Sequence, residues 1–174
     1  RGIYQAKGWW YYYAYAVLVK APLGTLGLGL LALVMTVFRI GPKLTLRDGL
    51  VLLAPAVLIF GVASVKSGFS HHSRYVLPCA PFVFVWLSGL AGTVASSLQS
   101  SVMMWRREAT WRRLSPRQRT ASLFGIASAS LLTGTIIGSL STYPHSLSYF
   151  NSLAGGPKNG AEHLLNSNID WGQD

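Results

Sequence analysis

Two histidines and an arginine stand directly before a long apolar run in FSHHSRYVLPCAPF, residues 69 to 82. The guanidinium of Arg74 can bind a phosphate through paired, charge-assisted hydrogen bonds, and His71 and His72 can donate further bonds. A helix that begins here would also favour an anion through its free N–H groups. These residue types therefore indicate a phosphate site. The alternative is that Arg74 only reaches toward lipid headgroups.

Lys20 is a second cation close to an apolar segment. In a helix it would lie about 8 Å along the axis from Tyr15. Two interpretations stay open: the side chain extends outward to the interface, or it neutralises the phosphate of a lipid held near the outer leaflet.

The C-terminal motif NIDWGQD combines groups that suit a sugar, because Asp170 and Asp174 flank Trp171 and Gln173. Carboxylates and amides bind hydroxyl groups, and an indole covers the apolar face of a sugar ring. The same residue types are equally typical of a folded cap without chemistry.

A metal site is not predicted. The consecutive residues His71 and His72 point in different directions, and no third ligand lies near them in the sequence. The single cysteine, Cys79, falls inside an apolar run, which excludes a disulfide and argues against a catalytic thiolate. We therefore expect no metal and no cofactor.

Four apolar runs must position these groups. Hydrophobic residues make up 51% of the 174 positions and charged residues only 11%, against roughly 25% charged in soluble domains. Each run can cross a hydrocarbon core of about 30 Å as a helix. We predict an all-α integral membrane protein, a bundle of about four transmembrane helices with an ordered outside C-terminal tail; buried helices of a soluble protein are the alternative. The predicted spans are 14–38, 49–65, 75–98 and 121–143.

The net charge of +10 is concentrated in two connectors, 39–48 and 99–120, which hold nine of the fifteen Lys and Arg residues. The positive-inside rule assigns both connectors to the cytoplasm, so that both ends of the segment lie outside the cell membrane. This position argues against nucleic acid as the partner of the basic clusters. Residues 1–143 are then the transmembrane region, and residues 144–174 are an extracytoplasmic tail.

The aromatic run GWWYYYAY, residues 8 to 15, fits the outer interface in this orientation. A stacking platform for a sugar is the alternative for Trp9 and Trp10. Pro78 and Pro81 also leave two possibilities. If the third helix begins before them, they kink it and predict a cavity beside it; if it begins at Pro78, that proline only initiates it.

Three segments carry a resemblance to a known family: GWWYYYAYAVLVKAPL, SRYVLPCAPF and YPHSLSYFNSLAGGPKNGAEHLLNSNIDWGQD. Together they resemble the C-terminal part of bacterial membrane glycosyltransferases related to the dolichyl-phosphate-mannose protein mannosyltransferases and the aminoarabinose transferases. The tail is the most specific match, and RYxLPxxP, from Arg74 to Pro81, is shared more widely among such enzymes.

The resemblance implies an inverting transferase of the C-type membrane fold, which moves a sugar from a polyprenyl-phosphate carrier to a protein, lipid or glycan acceptor on the extracytoplasmic face. Arg74, His71, His72 and Lys20 would then hold the carrier phosphate, which becomes the leaving group. The family's catalytic carboxylate lies in a first outside loop, and no segment of this chain corresponds to that loop. The catalytic residue is therefore unassigned.

The resemblance also implies more than four spans, and the sequence begins with Arg rather than Met. We expect a fragment that works with the remainder of a larger enzyme in the cell membrane. The rival hypothesis is a non-catalytic membrane subunit or a transporter that binds lipid-linked sugar. The sequence leaves the sugar, the acceptor, the carrier length and the oligomeric state open.

Overall fold

A computed structural model describes residues 10–38, 46–66, 73–105 and 115–164. All regular structure in these ranges is helical. The bundle consists of α1 (Tyr12–Lys20), α2 (Leu23–Phe38), α3 (Leu46–Lys66), a 3₁₀ segment (Ser73–Cys79), α4 (Ala80–Ser88), α5 (Ala91–Trp105) and α6 (Pro116–Leu140). The tail that follows contains three 3₁₀ turns, Ser146–Ser148, Ser152–Ala154 and Pro157–Asn159, and the short helix α7 (Gly160–His163).

Three stretches of the described chain are long and apolar enough to cross a membrane: Arg47–Val65, Arg74–Val102 and Gln118–Leu140. Helices α1 and α2 together make a fourth if the bent pair is one span. An all-helical chain with three or four candidate spans agrees with the predicted fold class.

The first predicted span, 14–38, is broken in the structure. Helix α1 ends at Lys20, α2 begins at Leu23, and the two axes differ by 113°. The residue between them, Ala21, is extended, with φ −73° and ψ 139°. Pro22 explains the break, because it has no N–H and disfavours helical geometry in the residue before it.

The third predicted span, 75–98, is divided among the 3₁₀ segment, α4 and α5. Pro78 lies inside the 3₁₀ segment, and Pro81 lies in the first turn of α4. A missing N–H costs nothing in a first turn, since no carbonyl precedes it to accept the bond. Helical structure therefore begins before both prolines, as the 3₁₀ segment, and becomes α-helical at Ala80, so Pro78 does not initiate a helix as the second of the two predicted possibilities had it.

Helix α6 packs along both α5 and α2. Two glycines allow this close approach. A Cβ at Gly24 would lie 2.1 Å from the Leu131 carbonyl oxygen, and one at Gly125 would lie 2.3 Å from the Thr93 carbonyl oxygen. Small residues let helix backbones approach in this way where the hydrophobic effect does not drive association.

Candidate functional site

The tail folds back onto α1 at one end of the bundle. Phe150, Ala154 and Leu164 of the tail form a buried cluster with Ala16 and Val19 of α1. The turn AGGPKNG that leads toward α7 has Gly155 and Gly156 at φ +75° and +72°, which glycine adopts without a Cβ penalty. Chain segments more than a hundred residues apart in sequence therefore make one structural unit.

Asn151 fixes this unit to the last turn of α1. Its side-chain Nδ2 donates to the carbonyl of Leu18 at 2.6 Å and to that of Ala21 at 3.1 Å, and its backbone N–H donates to Val19 at 2.9 Å. In a continuous helix the donor for Leu18 would be the N–H of residue 22, which is proline and has none. Asn151 is 1% exposed and supplies the donor that the sequence lacks there.

His163 joins α1 to the tail a second time. Its Nε2 lies 3.0 Å from the carbonyl oxygen of Ala154, and its Nδ1 is hydrogen-bonded to the hydroxyl of Tyr15. A carbonyl only accepts, so Nε2 carries the proton and donates. In the neutral ring Nδ1 is then the acceptor, and the Tyr15 hydroxyl donates to it.

Lys20 lies at the C-terminal end of α1, beside the break. Its Nζ is 4.6 Å from the centroid of the Phe150 ring, a cation–π distance. The same ring stacks with the imidazole of His163, at 6.4 Å between centroids. A positive side chain near a helix C-terminus also interacts favourably with the helix dipole. The tail therefore covers part of Lys20 and holds it at the end of the bundle where the chain bends.

Arg74 lies at the start of the 3₁₀ segment and is exposed. Its guanidinium carbon is 5.9 Å from the centroid of the Tyr75 ring, at the outer limit of a cation–π contact. The 3₁₀ segment contacts α1 through Val76 and Cys79, which are buried together with Tyr13. Lys20 is thus the last residue of the short helix α1, and the segment that carries Arg74 packs on the same helix, although the described contacts of the two cations share no residue.

Tyr12 and Tyr13 connect the two sides of α1. Tyr12 packs against both buried clusters, that of the tail and that of the 3₁₀ segment. Tyr13 is 0% exposed, and its hydroxyl has no hydrogen-bond partner in the described part of the chain. The predicted aromatic belt therefore divides: Trp10, Tyr11 and Tyr15 are exposed, whereas Tyr13 is part of the core.

The other predicted site residues lie outside the described ranges. They are the two histidines of the proposed phosphate site and the four residues of the proposed sugar site, namely His71, His72, Asp170, Trp171, Gln173 and Asp174. The aromatic residue Trp9 lies outside these ranges too. Within the described ranges, no group of three His, Cys, Asp or Glu side chains could hold a metal ion.

A cavity of about 280 Å³ lies beside the third predicted span, among α2, α4, α5 and α6. A cavity beside this span was predicted for the case in which its helix begins before the two prolines; this one lies further along the chain, where Gly89 and Leu90 separate α4 from α5. Its lining is almost entirely apolar, with hydroxyls from Thr25, Ser88 and Thr135 among the polar groups.

Sequence reasoning missed Asn151 and His163. A signal for the first exists, because Pro22 deprives Leu18 of a helical donor and some other group must supply one. The sequence does not identify that group. Nothing in the sequence indicates that His163 faces Tyr15, since both residues acquire their neighbours only when the tail folds back.

No protein-family model, no curated protein and no solved structure matches this chain.

Proposed function

We propose that the chain is part of a membrane glycosyltransferase that takes a sugar from a polyprenyl-phosphate carrier at the extracytoplasmic face and transfers it to an acceptor. One observation carries this proposal. The three segments that resemble such transferases, far apart in the sequence, meet around α1: the tail through Asn151, and the segment of Arg74 through Val76 and Cys79. Residues that serve one site are expected to converge in this way.

The proposed role of this end of the bundle is to hold the carrier phosphate. Arg74 presents an exposed guanidinium at the entry to a candidate span, and Lys20 lies where α1 ends. When the glycosidic bond breaks, the phosphate becomes the leaving group and gains negative charge, which nearby cations stabilise. The guanidinium fork suits phosphate geometry, and the ammonium of Lys20 acts as a point charge.

The placement of charges and aromatic residues supports an outside location for this end. Trp10, Tyr11 and Tyr15 are exposed, as expected at a membrane interface, and Tyr15 is hydrogen-bonded to His163 of the tail. Arg47 lies in the first turn of α3. Helix α1 packs further along α3, where Tyr13 is in the same buried cluster as Ala56. Basic residues at the end opposite the tail fit the positive-inside rule.

The catalytic carboxylate of this proposal lies elsewhere in the intact enzyme. The acidic residues within the described ranges are Asp48, in the first turn of α3, and Glu162, exposed in α7. Neither lies in a first outside loop of the kind that the resemblance implies. The proposed contribution of this segment is therefore to bind the donor rather than to activate the acceptor.

The test uses the intact protein in its own membrane with a radiolabelled polyprenyl-phosphate sugar. Label that appears on an acceptor supports a transferase, and label that only changes leaflet supports the transporter. Arg74→Ala removes charge-assisted bonds worth roughly 1.5 to 3 kcal/mol each, so affinity for the carrier phosphate should fall by about tenfold or more.

Arg47→Ala is the matched control, because Arg47 is also exposed in the first turn of its helical element but lies at the opposite end of the bundle. It should leave carrier affinity unchanged. Unchanged carrier affinity in Arg74→Ala would contradict the phosphate role of Arg74.

A further inference from the structure

We propose that the cavity among α2, α4, α5 and α6 binds one acyl chain of a bilayer phospholipid. The cavity has a volume of about 280 Å³, close to the lower limit for small-molecule sites. It is separate from the end of the bundle where Lys20 meets the tail, and the proposal does not depend on sugar transfer. Three observations support the proposal: the lining is apolar, the cavity extends along the helices, and its opening lies on the surface of the candidate spans.

The lining offers no free hydrogen-bond donor. Ser88 donates to the carbonyl of Val85 at 2.6 Å, and Ser128 donates to that of Phe124 at 2.8 Å. These bonds lie within one helix, so the hydroxyls are already used without a ligand.

The two threonines of the lining are satisfied in the same manner. Thr135 donates to the carbonyl of Leu131 at 3.0 Å, which leaves its oxygen to accept from Thr25, 3.3 Å away. No charged residue lines the cavity. A polar headgroup would find no partner there, whereas apolar cavities stay dry and bind apolar molecules.

The cavity extends along the bundle. Ser128 and Thr135, both in its wall, are seven residues apart on α6, which corresponds to about 10 Å along the helix axis. An acyl chain has this shape.

The mouth of the cavity opens on the surface of the candidate spans. Phe84 and Leu132 of the lining are 60% and 51% exposed, and Ser88 and Ala91 are exposed as well. Phe84 and Ala91 belong to the candidate span Arg74–Val102, and Leu132 belongs to Gln118–Leu140. In a membrane the medium beside such helices is the acyl chains of the bilayer, so this ligand is present at the mouth in large excess.

The first test is native mass spectrometry of the intact protein purified in mild detergent. The wild type should retain one glycerophospholipid per chain. Ala91→Phe places a ring in the mouth and should remove that lipid, and Ala54→Phe, an equal change on the exposed side of α3, should keep it. Equal retention in the two variants would overturn the proposal, as would a wild type that retains no lipid or retains only an isoprenoid lipid.

A second measurement covers the case in which Ala91→Phe does not fold. Trp86 is 8% exposed and packs against Leu28 and Leu90, which line the cavity. In a variant whose other five tryptophans are replaced by phenylalanine, phospholipids brominated at mid-chain should quench Trp86, because bromine quenches at short range and this ring packs against two residues of the lining. Fluorescence equal to that in unbrominated lipid would show that no chain enters.

Discussion

The carbonyl of Leu18 receives its hydrogen bond from the side chain of Asn151, 2.6 Å away in space and 133 residues away in sequence. The donor that a helix would normally provide, the N–H four residues on, is missing because position 22 is proline. The bend of 113° between α1 and α2 and the folded tail therefore depend on each other.

Replacing Asn151 with alanine should release the tail from α1. The change leaves the part-buried carbonyls of Leu18 and Ala21 without these donors, and an unpaired buried group costs about 1 to 3 kcal/mol, so stability should fall by about 1 to 3 kcal/mol in total. Thermal unfolding in detergent measures this, and limited proteolysis should cut the tail. Ser152→Ala, at an exposed neighbour, should change neither. Equal melting temperatures for the two variants would contradict the role of Asn151.

Two neighbouring tyrosines should respond in opposite ways to the loss of a hydroxyl group. Tyr15→Phe removes the donor to His163 and should cost about 0.5 to 1.5 kcal/mol. Tyr13→Phe removes a buried hydroxyl without a described partner, so stability should stay the same or rise. Melting temperatures of the two variants check this. A larger loss for Tyr13→Phe would mean that its hydroxyl is bonded after all.

Adding one methyl group at Gly24 should separate α2 from α6. The new Cβ would lie 2.1 Å from a backbone oxygen of Leu131, which cannot move without its helix, and such overpacking costs about 1 to 3 kcal/mol. Gly29→Ala is the matched control in the same helix, since no atom lies within 4 Å of its Cβ. The melting temperature of Gly29→Ala should be unchanged or slightly raised. A fall in melting temperature equal to that of Gly24→Ala would place Gly29 in an interface.

Removing the charge of Lys20 tests the proposed phosphate site without disturbing the fold. Lys20→Gln loses the cation–π contact with Phe150, worth about 0.5 to 1 kcal/mol, while the hydrogen bonds of Asn151 and His163 to α1 remain, so the tail should stay folded. Affinity for polyprenyl phosphate should fall several-fold, and Lys158→Gln, an exposed lysine in the tail, should bind as the wild type does. Wild-type affinity in Lys20→Gln would leave Arg74 as the cation under test.

The sequence predicts the approximate positions of the candidate spans well, because long apolar runs without charge have few other solutions, but it does not predict that the first and third runs are divided into shorter helices. The break at Pro22 was not predicted, because the apolar run continues on both sides of this proline. Hydrophobicity alone does not distinguish a straight span from a bent pair.

Of the residues at the candidate site, the sequence predicted only the two cations. Lys20 and Arg74 stand out as charges beside apolar runs, but the residues that position Lys20 do not. Phe150, Asn151 and His163 acquire their roles through contacts across 130 residues or more, which no local pattern encodes. The cavity depends similarly on how four helices pack.

The dependence of Leu18 on Asn151 also has a consequence for biogenesis. The ribosome releases α1 long before it makes residue 151, so the Leu18 carbonyl must first be bonded to another partner, such as water. Only when the tail has been made and has folded back onto α1 can Asn151 replace that temporary partner. Completion of the first helix is thus one of the last steps in the folding of the described chain, and a tail that fails to fold back would leave the end of α1 unfinished as well.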